Sequence, residues 1–134
     1  MKILITGGAG FVGSHLADKL IGAGHEITVI DDLSTGRYSN VEHLEGKENF
    51  RLIIDTVLNE KLMEELIRET DRIFHMASAV GVKLIMEHPV KTIETIFRGT
   101  DVVLGFCSRY RKRVLVPSTS EVYGKGASVP FRED

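Results

Sequence analysis

At 134 residues, 43% hydrophobic and 27% charged, the chain has room for one globular domain with a real core and no more. Seventeen lysines and arginines against 19 acids give a net charge of −2, which argues against nucleic acid or an anionic membrane surface as partner. The lone cysteine, Cys107, allows no internal disulfide and suits a reducing cytoplasm, and no window is long and apolar enough for a transmembrane helix.

Residues 2–6 read as a short buried strand, apolar without alternation, as a parallel sheet requires. Met1–Ile5 resembles a signal-peptide start, but glycines interrupt the apolar run at once. Thr6-Gly7-Gly8-Ala9-Gly10-Phe11-Val12-Gly13 follows, then a helix over 11–23 with Leu16, Leu20 and Ile21 on its apolar face. A strand, a glycine turn and a helix aim backbone N–H groups and the helix dipole at one point, where a phosphate can sit. Gly7 suits a tight turn, Gly10 allows close approach to a pyrophosphate, and Gly13 allows the helix to pack close to the strand. Together with Phe11 and Val12 they are candidate cofactor residues. The spacing is G-x-x-G-x-x-G rather than the commoner G-x-G-x-x-G. His15 and His25 show no metal-ligand spacing and read as solvated.

Glu26–Asp31 is the second strand. A carboxylate at its end, 18 residues past Gly13, can accept both hydroxyls of an adenosine ribose and repel a 2′-phosphate, which selects NAD over NADP. A turn-forming Asp31-Asp32 pair is the alternative. Asp32, Ser34 and Gly36 in the polar loop are further candidates, and nearby Arg37 softens the discrimination against NADP. Residues 38–46 read as an irregular turn or short helix, and 50–54 as a third strand ending at Asp55. Asp55 is placed either to accept from the adenine amino group or to cap or turn into the next helix. That amphipathic helix spans 58–69, with Leu58, Leu62, Leu66 and Ile67 inward and Glu60, Lys61, Glu64 and Glu65 outward.

Arg72–Met76 is the fourth strand. The small residues that follow let the chain pass beside a pyrophosphate and nicotinamide ribose, making Met76, Ala77 and Ser78 candidates. His75, with no obvious partner in the sequence, reads as a structural histidine. Residues 80–88 read as a loop or short helix, and Pro89 opens a long helix to about Tyr110. Its apolar residues cover more than one face, so a homo-oligomer through the 89–110 helix is expected. Arg109, Arg111, Lys112 and Arg113 suit a helix C-terminus better than a nucleic-acid patch. Residues 113–118 form the fifth strand, with Pro117 near its end, and run into Thr119-Ser120-Glu121-Val122-Tyr123-Gly124; 125–134 read as a surface loop. Five apolar runs alternating with helical segments predict an α/β fold: a doubly wound (Rossmann) parallel sheet of five strands in order 3-2-1-4-5.

Two stretches then resemble one family. Thr6 to His15 is similar to the cofactor motif of the extended short-chain dehydrogenases/reductases, and Ser118 to Gly124 to that family's segment around its active-site serine or threonine. Asp31 to Gly36 and His75 to Ser78 match in between. The resemblance implies tightly held NAD and a nucleotide-activated sugar that is oxidised transiently. Thr119-Ser120-Glu121 resembles the form found in UDP-glucuronate decarboxylases, rather than that of the 4-epimerases or dehydratases. By that likeness Thr119, Ser120 and Glu121 are the candidate catalytic residues: Thr119 hydrogen-bonds the sugar 4-hydroxyl and Glu121 positions the ring or its carboxylate.

The chain departs from the family twice. The family's base is a tyrosine followed four residues later by lysine, whereas Tyr38, Tyr110 and Tyr123 are followed there by Glu42, Val114 and Ala127. The family's long helix carries an asparagine three residues before Gly-Thr, and here Gly99-Thr100 is preceded by Ile96. The expectation is therefore an NAD-binding domain over 1–134, the N-terminal part of a longer enzyme, inactive by itself and without its substrate domain. Its expected reaction is decarboxylation of UDP-glucuronate, or 4-epimerisation or dehydration of a nucleotide sugar; a non-catalytic NAD-binding module or interaction protein is the alternative.

Overall fold

The computed structural model describes residues 1–78 and 89–124. Strand β1 (Lys2–Thr6) takes the centre of the sheet because it is apolar on both faces. Ile3 and Ile5 point to one side, into a core with Ile27 and Val29 of β2 (Glu26–Asp31), Ala17 and Ile21 of α1 (Phe11–Gly22), and Val41 and Leu44. Leu4 points to the other side, with Ile30, with Ile73 of β4 (Arg72–His75), and with Met63, Leu66 and Ile67 of α2 (Glu60–Glu69). Val103 and Cys107 of α3 (Pro89–Arg109) complete that second core. Cys107 is buried packing, as expected, and burial pushes its thiol up from the ordinary value.

With β3 (Phe50–Ile54) and β5 (Arg113–Leu115), the sheet is parallel throughout, in order β3-β2-β1-β4-β5. That is the expected doubly wound topology. The chain reverses direction of strand addition between β1 and β4, where such sheets open a crevice at their C-terminal edge.

Several element ends differ from the sequence expectation. Helix α2 starts at Glu60, not 58, because the Asn59 side chain accepts from the Leu62 N–H at 3.3 Å and caps it. Leu58 therefore lies before the helix, and Met63, fully buried, takes the inward position. Glu64 is not free on the outer face. It accepts from the Tyr110 hydroxyl, which is the main influence holding its carboxyl below the ordinary value, and from Arg109 at 3.1 Å. Strand β5 ends at Leu115 rather than 118, where its pairing with β4 stops at Phe74. Residues 38–46 hold two single 3₁₀ turns, Tyr38–Asn40 and Glu42–Leu44. The expectations for residues 79–88 and 125–134 lie outside the described residues.

Helix α3 does show apolar residues on more than one face. Val103 and Cys107 are buried, while Val90, Ile93 and Phe97 are exposed, Phe97 to 75%. Among the described residues no helix is long and apolar enough to cross a membrane.

Candidate functional site

The turn after β1 is held by its own backbone. Gly7 N–H donates to Ile30 O at 2.8 Å, and Gly10 N–H donates to Gly7 O at 3.2 Å. Gly7 has φ +68°, and a Cβ there would lie 2.6 Å from the Ala77 nitrogen. Its glycine is required twice, by conformation and by contact with the chain leaving β4. Gly13 is required because a Cβ would strike the Gly7 carbonyl oxygen. The close approach is thus to the turn itself, not to the strand as the spacing suggested. At Gly10 a Cβ would lie 3.2 Å from Gly7 O, a tight contact, and would meet no other described atom within 4 Å. The sequence reading passed over Gly8, where a Cβ would meet the Val29 side chain at 2.5 Å.

Helix α1 begins with no side-chain cap at Gly10 and no acidic residue in its first turn. The first N–H groups of a helix have no intrahelical partner, so this end is suited to an anion. Phe11 and Val12 are exposed there, Phe11 with its ring 4.6 Å from that of His15.

Asp31 is buried, with 8% exposure, and each carboxylate oxygen already accepts a backbone N–H: Oδ2 from Ala9 and Oδ1 from Leu33, both at 2.9 Å. Asp31 therefore ties the glycine turn to the loop after β2. A carboxylate oxygen has two lone pairs, so each keeps one for a ligand hydroxyl. Gly36 passes directly over this carboxylate, where a Cβ would lie 2.8 Å from Oδ1. Leu33 adopts φ 57°, an uncommon left-handed conformation for a branched side chain, which its N–H bond to Asp31 holds in place. Asp32 instead folds its own loop, accepting from the Ser34 N–H at 3.0 Å and from the Ser34 hydroxyl at 2.6 Å.

These groups line one pocket at the C-terminal edge of the sheet. Gly7 and Gly10 form one wall, and Asp31, Asp32, Ser34 and Gly36 the second. Met76, Ala77 and Ser78 form the third, and Asp55 closes the far end. Ile30, Thr35, Thr56 and Val57 also line it and were not singled out from the sequence. Asp55 faces the pocket and also shapes its own turn, accepting from Thr56 N–H at 2.7 Å and from the Asn59 amide at 2.9 Å; the cap of α2 is Asn59. Phe11, Val12, Gly13 and Pro117 do not line the pocket, Gly13 because it packs inside the turn.

Pro117 and Thr119 are exposed beyond β5, on the same sheet edge but outside the pocket lining. Ser120–Tyr123 forms a 3₁₀ turn, with Val122 N–H donating to Thr119 O at 3.3 Å. The side chains of Ser120 and Glu121 lie outside the described part.

His75 is a structural histidine with partners the sequence did not reveal. Nδ1 lies 2.8 Å from the Thr6 hydroxyl oxygen and Nε2 lies 3.3 Å from that of Thr100. Burial pushes its imidazole below the ordinary 6.5. The unfolded chain takes up this proton near pH 6.5 and the native protein only at lower pH. Stability is therefore full above about pH 6.5 and falls as the pH drops below it, by at most about 1.4 kcal/mol per pH unit, until the native imidazole also protonates. Urea unfolding between pH 5 and 8 checks this, and His75→Asn should flatten that part of the profile.

Residues 4–134 match the family model described as GDP-mannose 4,6 dehydratase. UDP-glucuronic acid decarboxylase 1 of Danio rerio is 50% identical over 133 residues, 99% of this chain and 31% of the relative. UDP-N-acetyl-alpha-D-glucosaminuronate decarboxylase of Bacillus cytotoxicus is 44% identical, again over 99% of this chain and over 40% of the relative. Among solved structures, UDP-glucose-4-epimerase from Stenotrophomonas maltophila, with bound NAD and formylated UDP-arabinopyranose, superposes with a TM-score of 0.88 at 25% identity. That match covers 99% of this chain and 41% of the epimerase. The chain thus spans about a third of the length of the first of these relatives.

Proposed function

We propose, for a chain that belongs to the GDP-mannose 4,6 dehydratase family, that its pocket binds NAD and serves an enzyme that decarboxylates a UDP-linked uronic acid. The observation that carries the cofactor assignment is the meeting of the Gly7–Gly10 turn, the Asp31 carboxylate and Ala77 in one pocket at the topological switch point. The pyrophosphate goes to the uncapped start of α1, beside Phe11 and Val12. The adenosine ribose goes to the spare lone pairs of Asp31, and the adenine to Asp55.

The substrate class is supported by the two decarboxylase relatives and by Thr119-Ser120-Glu121. Bound NAD supplies a hydride acceptor and donor. Thr119 then hydrogen-bonds the sugar 4-hydroxyl, and Glu121 positions the ring or its carboxylate, with Ser120 between them. The cofactor held there would take a hydride from C4 and return it after CO2 is lost from the resulting β-keto acid, while the tyrosine of a Tyr-x-x-x-Lys pair would take the 4-hydroxyl proton. We place this enzyme in the cytoplasm, as a homo-oligomer that covers the exposed Val90, Ile93 and Phe97 face of the 89–110 helix.

Titration calorimetry with NAD and NADP, together with CO2 release from UDP-glucuronate, tests the reading. Binding of NAD at least about tenfold tighter than NADP is expected, because a 2′-phosphate would meet the Asp31 and Asp32 carboxylates. Tighter binding of NADP, or release of no CO2 from any UDP-uronate by an enzyme that contains this chain and a Tyr-x-x-x-Lys pair, overturns it.

A further inference from the structure

We propose that His75 sets cofactor affinity from behind the pocket wall: its imidazole fixes the Thr6 hydroxyl, which holds the Ala77 amide against the glycine turn. This rests on the reading that the pocket takes NAD. Neither Thr6 nor His75 lines the pocket, and both are buried, with 0% and 3% exposure. Their role is that of positioning residues.

The geometry is a chain of three hydrogen bonds across three elements. Ala77 N–H donates to Thr6 Oγ1 at 3.1 Å. Thr6 Oγ1 lies 2.8 Å from His75 Nδ1, and His75 Nε2 lies 3.3 Å from Thr100 Oγ1 on α3. A neutral imidazole carries one N–H. Since Thr6 Oγ1 already accepts from Ala77, its own hydrogen is available to Nδ1, and the imidazole N–H falls on Nε2, toward Thr100. In that arrangement the Ala77, Thr6 and imidazole donors each meet an acceptor, in keeping with the absence of unsatisfied buried side-chain polar atoms among the described residues. The ring is thereby oriented from both sides.

Helix α3 reaches the ring one residue past Gly99. A Cβ at Gly99 would lie 2.9 Å from Val57 Cγ2, so glycine lets α3 pass close beside Val57, which lines the pocket. At the other end of the chain, the Ala77 nitrogen sits where a Gly7 Cβ would be, so the two pocket walls touch at this point. Contact alone prevents them from approaching. One residue beyond the Met76 N–H bond to Thr6 O at 3.0 Å, the Thr6 hydroxyl holds the Ala77 amide itself in place, with His75 holding the hydroxyl's rotamer. Ala77 lines the pocket, so a loose amide here shifts the wall that faces the cofactor.

The test compares NAD affinity and Ala77 amide exchange in variants of the protein. Phe at 75 fills the space without either hydrogen bond, whereas Asn offers Thr6 a partner near the place of Nδ1. His75→Phe and Thr6→Val are each expected to weaken NAD binding about tenfold, and the double variant no further, because both break one chain. His75→Asn and Thr6→Ser are expected to return to within about threefold of the parent, which a mere loss of packing would not produce. Unchanged affinity in Thr6→Val, His75→Asn as weak as His75→Phe, or additive effects in the double variant overturns the proposal. If His75→Phe does not fold, Thr6→Val and Thr6→Ser decide alone. Hydrogen exchange at Ala77 reads the chain without cofactor: protection in the parent lost in Thr6→Val supports it, and equal rates overturn it. A parent that binds no NAD overturns the cofactor reading, and the Ala77 amide then still decides this one.

Discussion

Adding one methyl group at Gly13 is expected to destabilise the protein by about 3 kcal/mol and to abolish NAD binding. The new Cβ would overlap the carbonyl oxygen of Gly7 and lie 2.8 Å from Gly8 Cα. Both are backbone atoms, and the turn that carries them is held by the Gly7 N–H bond to Ile30 O at 2.8 Å and the Gly10 N–H bond to Gly7 O. No side chain can rotate aside to relieve the clash, so either helix α1 lifts or the turn opens. Opening the turn scatters the N–H groups that would face a pyrophosphate. Gly105→Ala is the control. It lies in α3 with nothing within 4 Å of its Cβ position, and alanine there should stabilise the helix by up to about 1 kcal/mol. Urea unfolding and NAD titration check both variants. An unchanged unfolding midpoint for Gly13→Ala would mean that the turn is far softer than its hydrogen bonds imply.

Replacing Asp31 is expected to fail in two ways at once. Asp31→Ala leaves the Ala9 and Leu33 N–H groups without their acceptors, at a cost of about 1–3 kcal/mol for a buried donor, and removes the acceptor for the ribose hydroxyls. Asp31→Asn tests the same double role without a change of size. It keeps size and shape, but one of its two terminal atoms becomes an NH2 group facing a backbone N–H, since Oδ1 and Oδ2 each accept one. Asn should therefore be nearly as destabilising as Ala. Loss of two charge-assisted hydrogen bonds predicts NAD binding weaker by about 100-fold or more in either variant, with the preference over NADP reduced. Calorimetry and thermal unfolding check this. A stable Asp31→Asn protein with unchanged NAD affinity would contradict the double role of the carboxylate.

The sheet order and the glycine turn were legible because their signals are local. Ile3-Leu4-Ile5 is apolar without alternation, and the structure uses both faces of it. The end of α2 was misread for a local reason as well: Leu58 and Leu62 fit a four-residue spacing, but the Asn59 cap starts the helix too late to include Leu58. Met63, three and four residues before Leu66 and Ile67, was the better inward candidate. What sequence could not show were contacts between distant positions. Ala9 meets Asp31 across 22 residues, Thr6 meets His75 across 69 and Ala77 across 71. No periodicity announces such pairs, so His75 looked partnerless and Asp31 looked free. Gly8 was passed over for the same reason, since the Val29 side chain that excludes a Cβ there comes from the neighbouring strand.

The central claim is that the pocket between the glycine turn, Asp31 and Ala77 holds NAD. Amide chemical shifts recorded during NAD titration test it most directly. Shifts concentrated at Gly8–Val12, Asp32–Gly36 and Ala77, and lost in Asp31→Ala, are the expected result. Shifts confined elsewhere, for instance to the face between α2 and α3 around Glu60 and Arg109, or none at millimolar NAD, would contradict it.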